Sequence, residues 1–119
     1  MLLGEDEEQI RAVGQAALES AGYRVHLAHD GDDAMKQLEV IGQLDLSISD
    51  LKMPGSLSGE RLIMTVHETR PNLPVLMTIG YSDTAPSEYP ILVKPFRLHE
   101  LLFSVKNLLR EAALKQQIV

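Results

Sequence analysis

The feature that most constrains this chain is a repeated change of apolar periodicity, short apolar runs alternating with stretches whose apolar residues recur at helical spacing. Residues 1–4 form a short apolar start. Ile10, Val13, Ala17, Leu18 and Ala21 then share one helical face that Gly22 stops. Residues 23–28 read as a second strand, after which Asp30 offers an N-cap to a helix ended by Gly42, its inner face Ala34, Met35, Leu38 and Ile41. A third strand over 44–49 leads into a loop over 50–58 rich in Pro, Gly and Ser. A helix over 59–70 follows, with Leu62, Ile63 and Val66 inward and Pro71 closing it. Residues 74–79 and 91–93 are two more apolar strands, and a last helix carries Leu98, Leu101, Leu102, Val105, Leu108, Leu109 and Ala112 on one face.

Strands alternating with amphipathic helices imply right-handed crossovers and a parallel sheet covered on both faces, because each helix needs an apolar surface to lie on. The expected fold is therefore α/β, a doubly wound five-stranded parallel sheet. One stretch departs from the scheme. Residues 80–90 hold Pro86, Pro90 and mostly polar side chains, so the fourth helix expected there is short or absent. No repeat or low-complexity linker divides the 119 residues, and the chain reads as one domain over 1–119.

Composition narrows the function. With no Cys, a disulfide scaffold and thiol chemistry are excluded. Seventeen acidic against eleven basic residues give a net charge of −6, the opposite of a footprint for gripping nucleic-acid phosphates. The three Tyr and two Phe do not cluster into a base-stacking platform. Neither an apolar run long enough to span a bilayer nor a signal-peptide pattern is visible, and a cytoplasmic location without membrane contact is the expectation.

Ligands of open parallel sheets sit beyond the carboxyl ends of the strands, where strand order reverses. Glu5 and Asp6 lie just past the first strand and Asp50 at the end of the third. If these strands are neighbours, three carboxylates converge. Two carboxylates ~4 Å apart repel by about 4 kcal/mol at an effective dielectric near 20, so the cluster is costly unless a cation neutralises it. Carboxylate oxygens without His or Cys suit a hard cation, Mg²⁺ above all. Lys94, held extended by Pro95, places an ammonium at the same rim. Asp, metal and Lys together make a phosphoryl site, since an Asp carboxylate attacks phosphorus and such transfer is mainly positioning and charge neutralisation. Singly, each residue has a plainer reading: residues 5–8 as acids favoured at a helix start, Asp50 as a turn residue, Lys94 as a solvated loop lysine. Their joint occurrence at the ends of strands one, three and five carries the functional reading. His26, His29, His67 and His99 lack metal spacing, and Met35, Met53, Met64 and Met77 read as fillers of core or loop gaps.

In order and spacing, LLGEDE (2–7), AGYRVHLAHDG (21–31), LDLSISDLKMPG (44–55), LPVLMTIGY (73–81) and LVKPF (92–96) resemble the receiver domain of two-component response regulators, also found attached to hybrid histidine kinases. The resemblance implies a flavodoxin-like strand order 2-1-3-4-5. It implies Asp50 as the phosphoacceptor and Asp6 as a direct Mg²⁺ ligand. Glu5 would act as a ligand through water, the Lys52 backbone carbonyl as a further ligand, and Lys94 would contact the phosphoryl group. A cis Lys94–Pro95 bond is also implied. The implied partners are a histidine kinase or phosphotransfer protein and an unknown downstream protein; the oligomeric state stays open. The chemistry is self-catalysed phosphoryl transfer and aspartyl-phosphate hydrolysis rather than that of a conventional enzyme.

The departures fall in the switch region. Where the family carries Ser or Thr after strand four stands Ile79, with Thr78 one place earlier and on the opposite face of a strand. Ile91 stands where the family often has Tyr or Phe. A degenerate receiver, binding partners without phosphorylation, is therefore an alternative. So is a small aspartyl-phosphate phosphatase of the haloacid dehalogenase type, although its second Asp is Lys52 here and 119 residues leave no room for a cap domain.

Overall fold

The computed structural model describes residues 1–53, 58–80, 83 and 88–118, with side chains as far as residue 115. Its elements are β1 (Leu2–Gly4), α1 (Glu8–Ser20), β2 (His26–Ala28), α2 (Gly31–Val40), β3 (Ser47–Asp50), α3 (Gly59–Thr69), β4 (Val75–Ile79), β5 (Ile91–Val93) and α4 (Leu98–Ile118). All strand pairs are parallel, in the order β2-β1-β3-β4-β5. The order reverses between β1 and β3, which places a crevice beyond their carboxyl ends.

Strand alternation sorts the core into two layers. Leu2, Ala28, Val75, Met77 and Ile79 face α2 and α3, where Ala34, Leu62, Ile63 and Val66 meet them. Leu3, Ile48, Leu76 and Leu92 face α1 and α4, against Leu18, Leu101 and Val105. Leu18, Leu101 and Val105 are sealed from solvent, each contributing about 1.5–3 kcal/mol by leaving water.

Local chemistry sets the ends of the helices. α1 closes through Gly22 at φ 98°, a left-handed turn that costs glycine little, with the N–H groups of Gly22 and Tyr23 donating to the carbonyls of Glu19 and Leu18. Tyr23 is spent on this closure, so the second strand begins at His26 rather than at 23. Asp30 caps α2, its Oδ1 accepting from the Asp33 N–H at 2.7 Å. That helix ends at Val40, before Gly42, because Ile41 turns extended and Arg70 donates to the Leu38 and Ile41 carbonyls at 3.1 and 2.5 Å. The third strand starts at Ser47, although Leu46 before it is fully buried.

Four assignments to the helix faces or the core are corrected. Val13 is 50% exposed, because α1 turns Gly14, Ala17 and Leu18 to the sheet; a Cβ on Gly14 would lie 3.1 Å from Leu3 Cδ2, so the missing side chain permits the close approach. Ala21, in the turn that ends α1, is exposed, as are Leu98 in the first turn of α4 and Met64 on the outer side of α3. Between β4 and β5, residues 80, 83 and 88–90 are not helical, while Pro86 and the rest of the expected short fourth helix (81–82 and 84–87) lie outside the described residues, as do residues 54–57 of the loop after β3.

Candidate functional site

Pairing of β1 with β3, Gly4 opposite Ser49, brings the residues following one strand next to the last residue of the other. The Glu5 N–H donates to the Ala28 carbonyl at 3.0 Å, which extends β1 by one residue and turns its side chain into the crevice. Asp50, the last residue of β3, stands in register with Thr78, and the Leu51 N–H donates to the Thr78 carbonyl at 2.8 Å. Ligand oxygens of Glu5, Asp6 and Asp50 all lie within 4.8 Å of one another, with Glu5 and Asp50 buried and Asp6 exposed.

Lys94 follows β5 and is fixed by its own N–H, which donates to the Ile79 carbonyl at 2.7 Å. Its Nζ sits 2.6 Å from Glu5 Oε1 and 2.7 Å from Asp50 Oδ2, and the Lys94–Pro95 bond is cis. Three carboxylates and one ammonium leave two negative charges uncompensated. An all-oxygen donor set carrying that charge fits a hard divalent cation.

The electrostatics follow from burial. Desolvation pushes the Glu5 carboxyl above its ordinary 4.5, opposed by the bonds from Lys94 and the Glu7 N–H and reinforced by Asp50. Burial alone would lower Lys94, but its bonds to Asp50 and Glu5 outweigh that and hold the ammonium above its ordinary 10.5. A base raised in the folded state stabilises fully below its unfolded value and loses that contribution as pH climbs through the folded one. Thermal melts should therefore show Lys94 stabilising the fold up to about pH 10.5, with an alkaline loss that Lys94→Met does not share. Equal alkaline losses in both proteins would contradict this.

Some site features were not visible in the sequence. The exposed Lys52 side chain reaches Asp83 at 2.6 Å, and Asp83 Oδ2 also accepts from the Gly80 N–H at 3.0 Å, so an ion pair ties the loop after β3 to the one after β4. Arg11 donates to the Glu5 carbonyl at 2.8 Å, anchoring the acidic turn from the first helix. Lys52 itself donates a long backbone bond, 3.4 Å, to Asp50 Oδ1. In the switch region, Thr78 and Ile79 are both buried, Ile79 packed with Met77 and Ile63, and Ile91 is 39% exposed on the outermost strand. His29, also exposed, sits 3.0 Å from Asp33 and 3.3 Å from Asp30 at the start of α2.

Comparison with known proteins shows the family. The model of the response regulator receiver domain matches residues 1–106. The sensor kinase CckA of Brucella abortus (strain 2308) is 34% identical, over 93% of this chain and 12% of that protein. The transcriptional regulatory protein DltR of Streptococcus agalactiae is 31% identical, over 96% of this chain and 53% of that protein. The chain thus spans about half of the one curated relative and a small part of the other. The response regulator receiver protein CpdR of Brucella abortus is 29% identical, over 92% of this chain and 95% of that protein. Among solved structures, the receiver domain of NtrX from Brucella abortus superposes with a TM-score of 0.85 at 27% identity, covering 92% of this chain and 97% of that one. Since the family match takes in the ends of all five strands, where the acidic crevice and its lysine lie, this chain belongs to the response regulator receiver domains of two-component systems.

Proposed function

We propose that the chain, one receiver domain over 1–119, takes a phosphoryl group onto Asp50 from the phosphohistidine of a histidine kinase or phosphotransfer protein on the cytoplasmic side. The observation that carries this is the contact of Lys94 Nζ with Asp50 Oδ2 inside a crevice that also gathers Glu5 and Asp6. In the transfer, an Asp50 carboxylate oxygen forms the O–P bond, the N–P bond of the donor imidazole breaks, and the nitrogen keeps the electron pair. Lys94 would hold a phosphoryl oxygen, whose negative charge takes the place of the charge the carboxylate loses on acylation. Hydrolysis returns the carboxylate and inorganic phosphate by attack of water on phosphorus.

Glu5, Asp6, Asp50 and the Lys52 carbonyl are the groups we assign to Mg²⁺, which when bound neutralises the crevice and the transferring oxygens. Its residual charge and oxygen donors support that assignment. Ile79 offers packing where the family offers a hydroxyl, so the signal to the downstream protein is assigned to the backbone link between Lys94 and Ile79, which moves with whatever Lys94 pairs to. The likeness to CckA fits a receiver carried by a longer kinase and the likeness to CpdR a separate one; the phosphoryl chemistry is the same in both.

Intact mass after incubation with acetyl phosphate and Mg²⁺ tests the reading. The wild type is expected to gain one phosphoryl group, a gain that does not occur when the metal is chelated beforehand or in Asp50→Ala. A wild type that gains none would point instead to a degenerate receiver.

A further inference from the structure

On the sheet face that carries α2 and α3, β5 is the outermost strand, with Ile91 beside Met77 and Val93 beside Ile79. Met77 and Ile79 are buried there, whereas Ile91 and Val93 are 39% and 45% exposed. Just ahead of Ile91 lies a groove of about 230 Å³, lined by Glu60, Met64, His67 and Glu68 of α3 and by Glu88 and Tyr89.

The lining is ordered. Glu60, Met64 and Glu68 stand one turn apart on α3, so an apolar centre is set between acids. Met64 is 53% exposed, and Tyr89 meets His67 edge to face at a centroid distance of 6.3 Å, which fixes the aromatic wall. Among the described residues, no Lys or Arg pairs with Glu60, Glu68 or Glu88. The helix dipole accounts for Glu60 in the first turn but disfavours Glu68 in the last. Folding therefore gives no reason for the acid at 68.

We propose that this groove docks a cationic amphipathic helix of a partner protein, one apolar side chain seated between Met64 and Tyr89 and flanking Lys or Arg residues facing the three carboxylates. Helices lie in grooves by such anchors at i, i+3 and i+4, and a guanidinium over Tyr89 adds attraction from the ring face. Charge selects among occupants. A second copy of this chain, itself at −6, would set acid against acid, and a nucleic acid would do the same.

Titration of the isotope-labelled protein with a synthetic amphipathic helix of Leu and Lys, followed by amide resonances, tests this. Shifts are expected at residues 60–68 and 88–93. Met64→Glu and Glu68→Lys, both on exposed positions, should each weaken binding about tenfold, while Glu19→Lys on α1 changes it less than about twofold. Unchanged melting temperatures would show that both groove variants fold. No binding, shifts spread over the whole acidic surface, or an equal loss from Glu19→Lys would overturn the proposal. So would concentration-dependent shifts at the groove without peptide, which would assign it to a second copy.

Discussion

Replacing Gly59 by Ala is expected to destabilise the domain by roughly 3 kcal/mol or more and to slow phosphoryl gain by about a hundredfold. A Cβ at that position would lie 1.7 Å from the Asp50 carbonyl oxygen and 2.7 Å from that of Leu51. Both obstacles are backbone, so no side chain can rotate aside; either the start of α3 or the end of β3 must shift. The end of β3 carries Asp50, the proposed phosphoacceptor, which makes one methyl group a perturbation of both stability and chemistry. An ordinary exposed helical glycine behaves oppositely, gaining up to about 1 kcal/mol on substitution by Ala. The sign is therefore diagnostic. Denaturant unfolding beside the rate of acetyl phosphate labelling measures both, and a variant as stable and as fast as wild type would mean that α3 does not approach Asp50 this closely.

The second large effect belongs to Lys94→Met, in which two demands on one ammonium separate. In the metal-free protein Lys94 is the cation that holds Glu5 and Asp50 together, and its removal strands two buried carboxylates. Breaking a buried pair costs about 3–5 kcal/mol; at the rim of a crevice, with the Lys94 side chain 17% exposed, roughly 2–3 kcal/mol is expected. Added Mg²⁺ should then raise the melting temperature of the variant more than that of the wild type, because the divalent ion meets less competition for the same oxygens. Labelling should still fall by about 10²–10³, the usual effect of removing one donor to a developing negative charge. Smaller Mg²⁺ stabilisation in the variant than in wild type would contradict the placement of Lys94 between the two acids.

The parts of this molecule that were legible in the sequence are those encoded by local periodicity. Ala34, Leu38, Leu62, Ile63 and Val66 announce their faces, Asp30 its cap, and the ends of β1, β3 and β5 mark themselves by acids and a lysine after apolar runs. What was not legible depends on groups distant in the chain. Gly14 carries no side chain to signal that α1 packs tightly over Leu3, so periodicity points the more apolar Val13 inward instead. The end of α2 is set by Arg70, some thirty residues on, which takes the place of the local glycine. Asp83 looks like any polar loop residue until the sheet brings it to Lys52, and Gly59 like any helix-start glycine until β3 is laid beneath it.

The central claim, that Asp50 is the residue acylated by phosphorus in a crevice built by Glu5, Asp6 and Lys94, is tested most directly by trapping the acyl phosphate. Borohydride reduces an aspartyl phosphate to homoserine, which peptide mass spectrometry locates. After labelling with acetyl phosphate and Mg²⁺, homoserine is predicted at position 50, and nowhere in protein labelled without the metal. An unmodified residue 50 in protein that has gained phosphate at another position would contradict the account.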